Sequence, residues 1–156
     1  MKPYKNVAVL VAAQIVCFFL LSHFEADFFL IHFYQALFYI AILMMLFFKK
    51  DRWACMMAML TSIVWLGIAF VSGVLSSSTR EILGINGALS NTQVVLVLTL
   101  STALIAVLMI SFCGRYWLKE YSELGNDRKT FFVSLGCVAL YYAILGLFLL
   151  QMVPKT

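Results

Sequence analysis

FFLIHFYQALFYIAILMMLFFKKDRW, residues 28–53, decides the fold. Phe28–Phe48 is an unbroken apolar and aromatic run interrupted only by His32 and Gln35. Lys49, Lys50, Asp51 and Arg52 then crowd four charges together, and Trp53 opens a second apolar run. A helix rises about 1.5 Å per residue, so roughly 20 apolar residues cross a hydrocarbon core of about 30 Å. Lipid offers no partner for backbone N–H and C=O groups, so a span must satisfy them internally as a helix. The stretch therefore reads as a crossing, a tight charged turn and the start of the next crossing.

Working outward, Val7–Leu21, Trp53–Leu75, Val94–Cys113 and Thr130–Val153 are equally poor in charge. The first run is short, but Pro3 suits the first turn of a helix, which can then extend from Tyr4 to Ser22. The expectation is an all-α polytopic membrane protein: a bundle of five transmembrane helices forming a single membrane domain over residues 1–156. Its crossings are placed at about 6–22, 28–48, 53–75, 93–113 and 130–153.

Charge gives an independent check, because Lys and Arg in short loops stay on the cytoplasmic side. Nine of the eleven basic residues fall in three clusters: Lys2 and Lys5; Lys49, Lys50 and Arg52; Arg115, Lys119, Arg128 and Lys129. An even number of crossings separates the three, so they share one side. The N-terminus is expected inside and the C-terminus outside, in the cell inner membrane. The net charge of +4 comes from these loop clusters and gives no support to nucleic-acid binding.

The first segment has the basic start and apolar core of a signal peptide, yet Ser22–Ala26 lacks a small-x-small cleavage pattern, so it is expected to be retained. All four cysteines lie in crossings without CxxC spacing, and are expected to be free thiols acting as small apolar residues. Ser78-Thr79-Arg80-Glu81 has the pattern of a capping box that starts a short helical turn, followed by Asn86-Gly87 as a turn. Helix four is expected to run on to Leu124, with Gly125 as its cap and Asn126 or Asp127 starting helix five. Arg115, Tyr116, Trp117, Lys119 and Tyr121 mix cations with aromatic rings, a composition suited to an interfacial anchor and to contact with a partner or anionic lipid.

Helices associate in lipid through close approach of small residues. Gly136, Ala139, Ala143 and Gly146 line one face of helix five, and Ala69 and Gly73 one face of helix three. These faces are expected to pack on neighbouring helices inside the bundle, with contact to a second chain as the alternative. The phenylalanines of the first two helices, Phe18, Phe19, Phe28, Phe29, Phe33, Phe38, Phe47 and Phe48, read as bulk facing lipid or another subunit.

Ionisable groups outside the basic loops gather at His23, Glu25, Asp27 and His32, near the outer face. Two imidazoles and two carboxylates are a ligand set for zinc, manganese or copper, although their spacing matches no established metal signature. The alternative assigns Glu25 and Asp27 to loop solvation and His32 to a hydrogen bond with Gln14, a tyrosine or a serine. A bis-histidine haem is disfavoured because His23 falls in the loop, and no cofactor is favoured. No carboxylate or lysine lies mid-membrane, which argues against an ion-driven carrier. GxSxG, HExxH and phosphate-cradling glycine patterns do not occur. The leading expectation is a non-catalytic integral membrane subunit or accessory protein that packs against other membrane chains. Its rivals are a small homo-oligomeric channel or carrier for a small solute, lined by serines and threonines of helices three and four, and a membrane metal-binding protein or enzyme using the outer-face quartet.

Overall fold

A computed structural model describes residues 4–73, 91–121 and 127–152. Five helices account for nearly all of these: α1 (Tyr4–Phe24), α2 (Phe29–Phe47), α3 (Asp51–Val71), α4 (Asn91–Tyr116) and α5 (Asp127–Met152). A π-helical turn, Trp117–Tyr121, extends α4, and a single 3-10 turn, Ala26–Phe28, joins α1 to α2. All five are long and apolar enough to cross a membrane, in keeping with a multi-pass membrane protein, and the described residues contain no strand. The capping-box pattern at Ser78–Glu81, the Asn86-Gly87 turn and the expected cap at Gly125 lie outside the described residues.

Helix ends follow local chemistry. The α2–α3 turn is closed by a Schellman pair in which Lys49 N–H donates to Leu46 O at 3.2 Å and Lys50 N–H to Met45 O at 2.9 Å. That geometry puts Lys49 at φ 56°, a left-handed conformation normally given to glycine and costly for an L side chain. The chain accepts the strain and keeps a cation at the end of the span. α3 stops at Val71, short of the expected Leu75. Gly73 follows at φ 73°, donating its N–H to Phe70 O at 3.1 Å, the left-handed exit that glycine permits.

α1 and α2 pack side by side as a hairpin, and α1 lies against α4, α4 against α3, and α3 against α2, so these four enclose a common core. α5 leans on α3 and α2 from outside this ring. Helices α1, α2, α4 and α5 each contribute a buried stripe at helical spacing, whereas α3 is buried over the consecutive residues 54–58. On α1 it is Val7, Val11, Gln14, Ile15, Phe18 and Leu21; on α4 it is Thr102, Ala106, Met109 and Cys113.

Two expectations about faces are overturned. Phe18 does not face lipid: it is 1% exposed, its ring 5.7 Å from Tyr39 and 6.4 Å from His32. Being seven residues from Val11 and three from Leu21 puts it on the buried stripe. Phe19, Phe28, Phe29, Phe47 and Phe48 do point outward. On α5 most of the small-residue face is turned away from the bundle: Gly136, Ala139 and Ala143 are exposed and nothing approaches the Cβ position of Gly136, whereas Gly146 is half-buried and borders a cavity among the helices. The inward stripe is Thr130, Ser134, Val138, Tyr141 and Leu145. Tyr141 stacks on Phe38 at 4.1 Å and on Tyr34 at 5.1 Å. Aromatic stacking supplies the contact that small residues were expected to make. Ala69 on α3 is buried and Gly73 is half-buried.

Candidate functional site

The α1–α2 hairpin sets the site. Glu25 ends α1, its N–H donating to Leu21 O at 2.9 Å, and its carbonyl accepts the Phe28 N–H at 3.0 Å to close the 3-10 turn. So short a connection brings the first turn of α2 back over Glu25. His32 Nε2 then lies 2.8 Å from Glu25 Oε2, and Nδ1 lies 3.3 Å from Gln35 Oε1. With its proton on Nε2 the ring donates to Glu25, and Nδ1 becomes an acceptor that the Gln35 amide satisfies when turned to present its NH₂. The Phe18 ring lies under the imidazole with planes 19° apart. His32 is therefore oriented by three neighbours, and its partners are Glu25 and Gln35 instead of the expected Gln14, tyrosine or serine.

This triad forms part of the wall of a cavity of about 580 Å³, to which all five helices contribute. Phe18, Leu21, Ile31, Trp65, Ile68 and Leu145 supply much of its apolar surface, with Ser72, Thr92, Thr99 and Tyr142 adding hydroxyls. Most of those hydroxyls donate to backbone: Ser72 to Ala69 O at 3.2 Å, Thr99 to Val95 O at 2.9 Å and Tyr142 to Thr61 O at 2.9 Å. Hydrogen-bonding capacity in the wall is thus concentrated at Glu25, His32 and Gln35. An apolar chamber with a few convergent polar groups is the usual form of a small-molecule site.

Of the four residues expected to bind metal, Glu25 and His32 meet and the other two do not join them. His23 is exposed and packs edge-on against Phe24 at 5.3 Å, and Asp27 is exposed on the 3-10 turn. No group of three His, Cys, Asp or Glu gathers around a common point among the described residues. Spacing alone hinted at Gln35, one turn from His32, whereas nothing in the sequence tied Trp65 or Tyr142 to this end of the bundle.

At the opposite, basic end, the Arg52 guanidinium sits 5.4 Å from the centre of the Trp117 ring, a cation–π contact between α3 and the π turn. Arg115 and Lys119 are exposed and Tyr116 is half-buried. The side chain of Tyr121 lies outside the described set. A shallow hollow lined by Met56, Trp117, Arg128, Phe131 and Phe132 places an indole and a cation around an apolar floor. In the interior, Gln14 is fully buried and neither of its amide atoms has a hydrogen-bond partner among the described residues; the same holds for Thr61 Oγ1 and Ser134 Oγ. Comparison of the chain with protein-family models, with curated proteins and with solved structures finds no match.

Proposed function

We propose that the protein is a non-catalytic component of the cell inner membrane, with its N-terminus inside, that packs against another membrane chain along the outward face of α5. The observation carrying this reading is the direction of that face. Gly136, Ala139 and Ala143 stand exposed, and in lipid such small-residue faces let backbones approach and gain contact that bulky residues prevent. α5 is already the peripheral helix, held by α3 and α2, so a partner can reach it without disturbing the core. The rings and cations around Trp117 and Arg128 would lie at the headgroup level on the same side as the basic loops, where anionic lipid or a partner loop can engage them.

Mass measurement after purification in mild detergent tests this reading. A different co-purifying chain, lost when Gly136 and Ala139 are both changed to leucine, is the expected result. A solitary monomer contradicts it, and a multiple of one chain points to self-association instead.

The outer cavity favours a second reading, in which the protein receives a small, weakly polar molecule. A chamber of about 580 Å³ with its polarity concentrated at Glu25, His32 and Gln35 suits a compact apolar body carrying one hydrogen-bonding group. The hydroxyls of α4 lend less support to a pore: Thr99, Ser101, Thr102 and Ser111 each donate to a carbonyl of their own helix.

A further inference from the structure

The wall of the outer cavity is uneven in charge and in hydrogen-bonding sense. Glu25 and His32 are its only ionisable groups besides Tyr142, and no lysine or arginine lines it among the described residues. A neutral His32 ring has a single N–H, which at 2.8 Å satisfies Glu25 Oε2 without cancelling the charge. Glu25 Oε1 has no partner among the described residues. The hydroxyl donors are mostly spent as well. Ser72, Thr99 and Tyr142 give their protons to backbone carbonyls, so each meets a ligand as an acceptor. The donors left over, on Thr92, Trp65 and Gln35, are neutral. The chamber therefore offers one negative charge and several acceptor oxygens, and nothing positive to hold an anion.

Depth and polarity are aligned. The lining runs from Glu25 to Phe18 along α1, from Ser72 to Trp65 along α3 and from Thr92 to Thr99 along α4. Each run covers seven residues, or about 10 Å at 1.5 Å per residue. Glu25, Ser72 and Thr92 stand where their helices end or begin, so the loop end of the chamber is polar. Two turns inward the lining includes the rings of Phe18 and Trp65. Aromatic faces attract a desolvated cation and bury an apolar body equally well.

We propose that the cavity binds a hydrophobic organic amine in its protonated form, with the ammonium N–H groups on Glu25 and an apolar body directed inward toward Phe18 and Trp65. The proposal rests on the reading that this cavity receives a small molecule, and names its class. Charge-assisted hydrogen bonds are about twice as strong as neutral ones, which favours an ammonium over an alcohol of the same shape. A quaternary ammonium lacks the N–H groups that the acceptor oxygens require. A metal ion fits poorly, because no third His, Cys, Asp or Glu joins Glu25 and His32 among the described residues. Binding makes and breaks no covalent bond.

The test uses the full chain in mild detergent and a ligand series that shares one two-ring body: diphenylpropylamine, diphenylpropanol and diphenylpropanoate. Equilibrium dialysis with the tritiated amine should show saturable binding of one ligand per chain, with the alcohol competing about tenfold more weakly and the carboxylate not at all. That rank order needs no variant. Glu25→Gln should weaken the amine about tenfold and leave the alcohol unchanged, which also shows that the variant folds. Gly146 lines the cavity and nothing lies within 4 Å of its Cβ position, so a side chain has room to grow into the space. Gly146→Phe should abolish binding of amine and alcohol alike, with an unfolding midpoint close to that of the wild type. Equal binding of amine and alcohol keeps the cavity as a small-molecule site and overturns the amine assignment. Binding of none of the series removes both readings. Amine held at full strength in Glu25→Gln or in Gly146→Phe overturns the assignment by placing the ligand elsewhere.

Discussion

The two ends of the bundle hold their polar chemistry by different means. At the α1–α2 end, oxygen and nitrogen groups face a chamber: a single 3-10 turn folds α2 back so that His32 meets Glu25 at 2.8 Å, and the contact is local in sequence. At the basic end, buried side chains of α3 and α4, Cys55 and Cys113 among them, share a core cluster only because two distant helices lie face to face. A hairpin can place a charged group beside a cavity because its geometry is fixed by a few backbone hydrogen bonds. A helix interface in lipid has no such staple and depends on side-chain contact, for which small polarizable groups suit best.

Substitutions should separate the two ends in order of effect. Phe18→Ala removes a ring that is 1% exposed and braces both His32 and Tyr39. Loss of a buried Phe costs about 3–5 kcal/mol, and a detergent-unfolding titration should show that drop, against less than about 0.5 kcal/mol for Phe47→Ala at an exposed position. Equal effects would mean that the α1 stripe is misplaced. Next in size, Glu25→Ala and His32→Ala should each cost about 1–2 kcal/mol. A double-mutant cycle should give a coupling of about 1 kcal/mol, because one hydrogen bond is removed twice. Additive losses would break the claim that this end is organised by a local pair.

Smaller still, Tyr142→Phe deletes a donor that reaches Thr61 O from α5. An interhelical hydrogen bond in lipid averages about 0.6 kcal/mol, so a comparable shift in the unfolding midpoint is expected, with no change in the Glu25–His32 coupling. Lys49→Gly acts on the α2–α3 turn in the opposite sense. Relief of a left-handed lysine should stabilise the chain by about 1 kcal/mol. A destabilised variant would show that the cation contributes more than the backbone strain costs.

The helices were legible in the sequence because apolar runs and charged turns alternate without ambiguity, and the Schellman turn at Lys49 falls where the charges crowd. The facing of α5 was not legible. Gly136, Ala139, Ala143 and Gly146 repeat at helical spacing, but so do Thr130, Ser134, Val138, Tyr141 and Leu145, and periodicity defines a face without saying which one points inward. Composition favoured the small residues, whereas the aromatic contacts Tyr141 makes with Phe38 and Tyr34 won the interior. The same limit explains the sites. His32 and Glu25 stood out by proximity in sequence, though their pairing excluded His23 and Asp27. Trp65 and Tyr142 carry no local pattern either, and only the packing of α3 and α5 on the hairpin brings them to the cavity wall.

The proposed orientation, basic end inside and histidine end outside, is tested most directly by labelling introduced cysteines with a membrane-impermeant maleimide. Ser77→Cys should react in intact cells, and Ser122→Cys only in inside-out vesicles. The reverse pattern, or both positions reacting from one side, would contradict the five-crossing topology on which the placement of the cavity and of the α5 face depends.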